Sequence, residues 1–121
     1  MKILLVDDNA MNVEFFQDVL EGDGHVVIVA RDGRAGLARA LADSFDLLLL
    51  DIQLPGMDGY GICRALRDQG LGGPILALSS SAMPAQIERG VAAGFDEYLT
   101  KPISPAALKE AVRRHVRSRG D

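Results

Sequence analysis

Acidic, hydroxyl and basic side chains that could bind a cation or an anion follow short apolar runs of the 121-residue chain. Asp7 and Asp8 follow the first run, Asp51 follows a run of four leucines, and Ser79 and Lys101 follow two later runs. Each residue alone would fit an ordinary role, such as a helix cap, a turn or a solvated lysine. Three carboxylates brought together would instead repel one another, and a divalent cation would relieve that repulsion. Because an all-oxygen ligand set favours a hard ion, the spacing predicts a Mg²⁺ site where the ends of these runs meet.

The runs themselves predict the elements that would bring these residues together. Strands are expected at 3–6, 26–29, 47–50, 75–78 and 97–99, and helices near 10–21, 33–43, 59–69, 84–93 and 105–117. The central runs are apolar at successive positions, as strands buried on both faces must be. Strands that alternate with helices indicate a parallel sheet with right-handed crossovers. Since ligands of such sheets bind beyond the carboxyl ends of the strands, Asp7, Asp51 and Lys101 are expected to meet at that edge.

Length, composition and charge narrow the classes of protein. The chain is long enough for one domain only, and 48% hydrophobic with 25% charged residues is typical of a soluble globular fold. A net charge of −4 argues against a nucleic-acid binder, whose affinity comes largely from neutralised phosphates. The longest apolar run is too short to span a membrane, and no signal peptide precedes the first strand. A cytoplasmic protein without nucleic-acid or membrane partners is therefore expected.

Four pieces of the sequence together resemble the receiver domains of response regulators in two-component signalling. They are LLVDDN at 4–9, LLDIQLPGMDG at 49–59, the serine at 79 and KPI at 101–103. They stand in the family's order and spacing across essentially the whole chain. Around Asp51 and Lys101 the sequence is most similar to receivers of hybrid histidine kinases and to DivK-type single-domain regulators. The resemblance implies one receiver domain over residues 1–121, with an α/β, flavodoxin-like, doubly wound (βα)5 fold and a five-stranded parallel sheet in the order 2-1-3-4-5.

The resemblance also implies a Mg²⁺-dependent phosphoacceptor. In that family the phosphoryl group is carried by an aspartate, and the matching residue here is Asp51. Asp7 and Asp8 would hold Mg²⁺ together with Asp51 and the main-chain carbonyl of Gln53. The domain would then be a signalling switch rather than an enzyme, catalysing only its own phosphorylation and dephosphorylation.

Other matched residues are expected to sense the phosphoryl group. Ser79 and Lys101 would each contact a phosphoryl oxygen, and Tyr98 stands at the family's aromatic switch position. Ser80 follows where the family usually has a small residue such as Ala, so a second hydroxyl competes for the role of Ser79. Ser79 is favoured because it is the first residue after the apolar run. A cis peptide bond is expected between Lys101 and Pro102, since X-Pro bonds are the common setting for cis peptides.

The expected partners are proteins at both ends of a phosphorelay. The resemblance implies a histidine kinase or a histidine phosphotransfer protein as the phosphodonor. Pro84 at the start of the fourth helix and Gly90 inside it make that helix the weakest by propensity. The surface formed by the fourth helix, the fifth strand and the fifth helix is therefore expected to be the output face that meets a downstream protein target.

Two other functions use similar residues and are less well supported. A haloacid-dehalogenase-like phosphatase also forms an aspartyl phosphate, but it needs an Asp-x-Asp motif, and here Asp51 is followed by Ile52 and Gln53. A nucleotide-binding domain would need a glycine-rich loop after the first strand, which this sequence lacks. A single-domain regulator is favoured over a piece of a larger protein, because Met1 stands just before the first strand.

Overall fold

Strands and helices alternate five times along the chain. The computed structural model describes residues 1–54 and 56–120, with side chains as far as residue 115. The strands are β1 (Lys2–Val6), β2 (Val26–Ala30), β3 (Leu47–Asp51), β4 (Ile75–Ser79) and β5 (Glu97–Thr100). The helices are α1 (Ala10–Gly22), α2 (Gly33–Ala42), α3 (Gly59–Asp68), α4 (Pro84–Ala93) and α5 (Pro105–Gly120). The predicted elements are confirmed to within one residue at each end, except that α5 continues past 117 to Gly120.

The five strands form one parallel sheet with the order β2-β1-β3-β4-β5. Helices cover both faces: α1 and α5 pack on one side of the sheet, and α2, α3 and α4 pack on the other. Along β1, Leu4 faces the layer of α2, α3 and α4, whereas Leu5 faces α1 and α5, because alternate strand residues point to opposite faces. The doubly wound α/β fold with the order 2-1-3-4-5 is confirmed.

The central strand, β3, explains the run of leucines. It has a paired strand on each side, and all five of its residues are buried. A strand covered on both faces needs apolar side chains at successive positions, so Leu47–Leu50 carry no polar residue. The first polar side chain along this strand is its last residue, Asp51, which therefore emerges at the carboxyl edge of the sheet.

The starts of the helices differ in how well they are capped. The side chains of Asn9, Asp32 and Asp58 accept main-chain hydrogen bonds in the first turns of α1, α2 and α3. Met83 stands at the start of α4 and makes no such side-chain bond. The missing side-chain cap adds to the low helix propensity of α4, and the weakness of this helix stays a prediction. In the described part of the chain, no helix has the length and hydropathy that crossing a membrane requires.

Candidate functional site

Three charged side chains meet at the carboxyl edge of the sheet. Asp7 follows β1, Asp51 ends the neighbouring β3, and Lys101 follows the edge strand β5. Lys101 Nζ lies 3.0 Å from Asp51 Oδ2 and 3.7 Å from Asp7 Oδ2, so its side chain reaches past β4. A 2.6 Å hydrogen bond from Lys101 N to Ser79 O anchors the main chain from which that side chain extends. The predicted meeting of these residues is confirmed.

Asp8 completes a cluster of three carboxylates. One carboxylate oxygen each of Asp7, Asp8 and Asp51 lie within 4.8 Å of one another. Asp7 is fully buried and Asp8 is exposed. Asp7 Oδ1 accepts a 2.9 Å hydrogen bond from Asn9 N, and Asp51 Oδ1 accepts one of 2.8 Å from Gln53 N. The hydrogen bonds from Asn9 N and Gln53 N fix one oxygen each of Asp7 and Asp51. Asp7 Oδ2 is buried and has no hydrogen-bond partner among the residues that the structure describes.

The protein's own groups do not fully compensate the charge on Asp7. Burial raises the pKa of Asp7 above its ordinary value, and the Asp51 carboxylate adds to that rise. The Asn9 N–H and the Lys101 ammonium act in the opposite direction without cancelling it. An additional positive charge at this position would favour the ionised form of the carboxyl group.

A hard divalent cation fits these residues. The available side-chain atoms of the cluster are carboxylate oxygens, which Mg²⁺ prefers as ligands. A cation there would give the buried Oδ2 of Asp7 a partner and would reduce the repulsion among the three carboxylates. Mg²⁺ usually keeps several waters, and the exposed Asp8 leaves the cluster open to solvent on one side.

The cluster opens into a polar cleft of about 440 Å³. The cleft is lined by Asp8, Asn9, Asn12, Asp51, Gln53, Ser80, Lys101 and Pro102. Asn9 and Asn12 were not among the expected site residues, although an Asn that caps a helix next to Asp8 is a recognisable pattern. The side chain of Asn9 accepts a 3.0 Å hydrogen bond from Asn12 N and so caps the first turn of α1 at the edge of the cleft. The Lys101–Pro102 bond is cis, as predicted.

The two serines at the end of β4 occupy different places. Ser79 is buried, and its Oγ accepts a 3.1 Å hydrogen bond from Ser81 N. Ser80 is exposed and lines the cleft. Successive residues of an extended chain point in opposite directions, so both cannot face the cleft in one conformation. The structure thus brings Ser80 to the cleft wall and leaves the Ser79 hydroxyl turned towards the following loop.

Tyr98 connects this loop to β5 and α4. Its hydroxyl donates a 3.1 Å hydrogen bond to the main-chain oxygen of Ser81. The half-buried ring lies against α4, where a Cβ built on Gly90 would come within 3.1 Å of Tyr98 Cδ2. Gly90 is predicted from propensity only to loosen α4, and the structure adds a packing reason for it. A side chain at that position would push against the Tyr98 ring.

The first turn of α3 packs against the main chain of Asp51, which makes Gly59 a sensitive position. A Cβ on Gly59 would lie 2.7 Å from Asp51 O and 2.9 Å from Ile52 Cα, and main-chain atoms cannot rotate away. We expect Gly59→Ala to lower the free energy of unfolding by about 3 kcal/mol. Gly61→Ala is the control, because its Cβ would meet only Asp58 Oδ1 at 3.4 Å. That change should raise stability by up to about 0.5 kcal/mol through helix propensity. Urea unfolding of the two variants measures the difference, and equal stabilities would contradict the close packing.

Sequence comparison identifies relatives along almost the whole chain. The family model described as the response regulator receiver domain matches residues 3–113. The transcriptional regulatory protein CseB of Streptomyces coelicolor is 39% identical over 118 residues, which are 98% of this chain and 50% of CseB. This chain therefore spans about half the length of that relative.

Comparison of structures finds the same fold. The chemotaxis protein CheY4 of Vibrio cholerae has a TM-score of 0.89 and 33% identity, covering 94% of this chain and 97% of CheY4. The receiver domain of the sensor histidine kinase PA1611 of Pseudomonas aeruginosa has a TM-score of 0.88 and 34% identity, covering 95% of this chain and 96% of that one. The PA1611 structure holds a magnesium ion in its active site cleft. A family model matched over nearly the full chain, with relatives that agree in both sequence and fold, shows that this chain belongs to the response regulator receiver domains of two-component signalling.

Proposed function

We propose that Asp51 accepts the phosphoryl group in this receiver domain. The observation that carries the proposal is the setting of its carboxylate. Asp51 ends the central strand at a polar cleft, and Lys101 Nζ lies 3.0 Å from its Oδ2. An ionised carboxylate beside a cation and open to a cleft is suited to attack a phosphorus atom and then to hold the added charge.

The chemical step needs positioning more than covalent assistance. A carboxylate oxygen of Asp51 attacks the phosphorus of the donor, and a P–O bond forms. The bond from phosphorus to the leaving group breaks, and the leaving group keeps its electron pair. Lys101 stays close enough to pair with one phosphoryl oxygen, and the Ser79 hydroxyl turns from Ser81 N to donate to another. The proposed catalysis is limited to this transfer and to the later hydrolysis of the aspartyl phosphate, in which water takes the phosphoryl group as inorganic phosphate and the Asp51 carboxylate is restored.

The residues that would hold Mg²⁺ are Asp7, Asp8, Asp51 and the main-chain carbonyl of Gln53. When bound, the ion neutralises negative charge on the transferring oxygens. The chain's own contribution is orientation: the hydrogen bonds from Asn9 N to Asp7 and from Gln53 N to Asp51 hold one oxygen of each carboxylate in place. Of the other two oxygens, Asp51 Oδ2 lies 3.0 Å from Lys101 Nζ, and the buried Asp7 Oδ2 has no hydrogen-bond partner among the described residues.

A small phosphodonor tests the central proposal directly. Incubation with acetyl phosphate and Mg²⁺ is expected to add one phosphoryl group per chain, because this donor is small enough to enter the open cleft without a protein partner. Intact-mass measurement follows the addition, and EDTA added beforehand should prevent it. Uptake that is equally fast with EDTA would contradict the requirement for a divalent cation.

The proposed donor in the cell is a histidine kinase or a histidine phosphotransfer protein. Support comes from the family, which includes the receiver domain of the sensor kinase PA1611. Residues 1–121 are proposed to act as one receiver unit in this exchange.

The proposed output face is formed by α4, β5 and α5. Met83, Ile87 and Val91 are exposed and recur every fourth residue, so they form an apolar stripe along α4. A groove of about 180 Å³ runs beside the stripe, between α4 and β5, with Tyr98 in its wall. Exposed apolar surface next to a switch residue is suited to a protein target whose affinity depends on the switch.

We propose that the signal passes from Asp51 to this face through the loop after β4. A phosphoryl group on Asp51 adds oxygens that draw in the Ser79 hydroxyl, which then releases Ser81 N. The Ser81 carbonyl holds the Tyr98 hydroxyl, so movement of this loop changes the position of the ring against Gly90. Coupling of this kind needs two arrangements that differ by only a few kcal/mol. The element proposed to change between them is α4, whose first turn lacks a side-chain cap.

Hydrogen exchange with and without beryllofluoride, a mimic of the phosphoryl group, is expected to show the change at 83–100. Ser79→Ala should lose most of that change, because no hydroxyl remains to follow the phosphoryl oxygen. Ser80→Ala is the matched control and should keep it. If Ser80→Ala loses the response and Ser79→Ala keeps it, the serine at the cleft wall is the sensor and the assignment of Ser79 is wrong.

A further inference from the structure

Tyr60 occupies a position that links three elements of the proposed switch. It is the second residue of α3, and its side chain is buried between α3, α4 and β5. Its hydroxyl donates a 3.2 Å hydrogen bond to the main-chain oxygen of Gln86 in α4. The same hydroxyl oxygen lies 3.5 Å from the hydroxyl oxygen of Tyr98 on β5. The ring itself packs edge-on against Phe95, with centroids 6.3 Å apart, so its burial does not depend on the hydroxyl.

Each of the two tyrosine hydroxyls donates its proton to a main-chain oxygen. Tyr60 donates its proton to Gln86 O, and Tyr98 donates its proton to Ser81 O. Neither hydroxyl therefore donates a hydrogen bond to the other, and the distance of 3.5 Å between the two oxygens agrees with this. Tyr60 can donate to Tyr98 only by releasing Gln86 O. Burial, with a further contribution from Tyr98, raises the pKa of Tyr60 to about 12, so its proton is present at neutral pH.

The hydrogen bond from Tyr60 joins the first turn of α4 to α3, and main-chain bonds from Gln86 N and Ile87 N to Met83 O also hold this turn. Met83 provides no side-chain cap there, and the buried Oε1 atom of Gln86 has no hydrogen-bond partner within the described part of the chain. Polar groups left unsatisfied in this way favour a nearby arrangement that would satisfy them.

Other contacts also join α3 and α4. Arg67 of α3 donates a 3.0 Å hydrogen bond from its Nε to Gly94 O, directly after α4. Arg89 of α4 places its guanidinium 4.3 Å above the Tyr60 ring and 3.6 Å from Asp58 Oδ2. That ion pair is largely exposed and therefore weak.

We propose that Tyr60 is a positioning residue of the switch, whose hydroxyl chooses between Gln86 O and the Tyr98 hydroxyl. In the first arrangement it ties the start of α4 to α3, and in the second it ties β5 to α3 and releases its hold on Gln86. The Tyr60 hydroxyl can donate to only one of the two acceptors at a time. The position of Tyr98 therefore decides whether the hydrogen bond from Tyr60 to α4 is made. The inference rests on the proposed function, since it makes Tyr60 the link between the phosphorylation-dependent movement of Tyr98 and the output face.

The chain contains two tyrosines and no tryptophan, which makes the link measurable. Protein labelled with 3-fluorotyrosine gives one ¹⁹F resonance for each ring, and Tyr60→Phe leaves Tyr98 alone. We expect the Tyr98 resonance of Tyr60→Phe, without any phosphate mimic, to shift towards the position that beryllofluoride induces in the wild type. We expect the amides at 86–90 to exchange about five times faster, as the loss of one hydrogen bond implies. Beryllofluoride should then change their exchange much less than in the wild type.

Arg89→Met separates this role from simple loosening of α4. It removes the tie above the Tyr60 ring but keeps both hydroxyls, so exchange at 86–90 should rise while the response to beryllofluoride persists. If Tyr60→Phe behaves as Arg89→Met does, or leaves exchange and the Tyr98 resonance at wild-type values, Tyr60 serves packing alone and the proposal is wrong.

The test also distinguishes a failure of this inference from a failure of the proposed function. A wild-type protein that takes up neither phosphoryl group nor beryllofluoride would overturn the function assigned to Asp51. Whether the Tyr60 hydroxyl switches between its two acceptors would still be tested in the unmodified protein, with the variants Tyr60→Phe, Tyr98→Phe and the double variant. Coupled hydroxyls predict effects on exchange at 86–90 that are not multiplicative, and strictly multiplicative effects would refute the link.

Discussion

The Asp51→Asn protein is expected to take up no phosphoryl group from acetyl phosphate in the presence of Mg²⁺. An amide has almost the shape of a carboxylate but is neutral and a far weaker nucleophile, so the acyl phosphate does not form. The side-chain oxygen of the introduced asparagine can still accept the hydrogen bond that Gln53 N makes at 2.8 Å to Asp51 Oδ1. The fold should therefore survive. Intact mass reports the loss of uptake, and circular dichroism reports that the structure is retained.

The matched control for this prediction is Asp58→Asn. Asp58 lies in the segment between β3 and α3, is exposed, and caps α3 by accepting a 2.8 Å hydrogen bond from Gly61 N. Asn is as good a cap as Asp, so this variant should fold and take up one phosphoryl group at a rate close to that of the wild type. Normal uptake by Asp51→Asn, with the phosphoryl group mapped to another carboxylate or to a serine, would refute the assignment of Asp51 as the acceptor.

The elements of the fold could be predicted from local patterns because the central strands are buried on both faces. A run such as Leu47–Leu50 is apolar at every position and is therefore easily recognised as a strand. The polar residue that follows it marks the end of the strand. The order of the strands could not be obtained in this way. It depends on pairs such as Leu4 with Leu48 and Leu48 with Ile75, which are far apart in sequence. That order was implied by the resemblance to receiver domains, and the structure agrees with it.

The parts of the candidate site that follow from strand topology could be predicted. The parts that depend on the direction of a single side chain could not. Parallel strands end at one edge, so the meeting of Asp7, Asp51 and Lys101 follows from the pattern alone. The direction of the Ser79 hydroxyl depends on a loop conformation that its sequence of three serines does not determine. The contact between Tyr60 and Tyr98 joins residues 38 positions apart, and no local spacing indicates it.

Replacing Lys101 by Met is expected to lower the free energy of unfolding by about 3 kcal/mol when no divalent cation is present, because removing one partner of a buried ion pair leaves the other uncompensated. The ammonium group lies 3.0 Å from Asp51 Oδ2 and 3.7 Å from the buried Asp7 Oδ2. Met keeps much of the length and the apolar stem of Lys, so the loss reports on charge rather than on packing. Urea unfolding in the presence of EDTA measures it.

Mg²⁺ is expected to recover much of the stability lost in Lys101→Met. A bound cation relieves the same repulsion that Lys101 relieves, so the variant should bind Mg²⁺ more tightly than the wild type and gain more stability at equal Mg²⁺ concentration. Phosphorylation should nevertheless change hydrogen exchange in α4 less than in the wild type, because the ammonium group that would pair with one phosphoryl oxygen and help to orient the others towards Ser79 is missing. Lys2→Met is the control: its 2.7 Å pair with Asp43 is partly exposed and lies outside the cluster, so it should change stability far less and leave the gain from Mg²⁺ at the wild-type value. Equal gains from Mg²⁺ in Lys101→Met and the wild type would show that Lys101 does not share the charge of the carboxylate cluster.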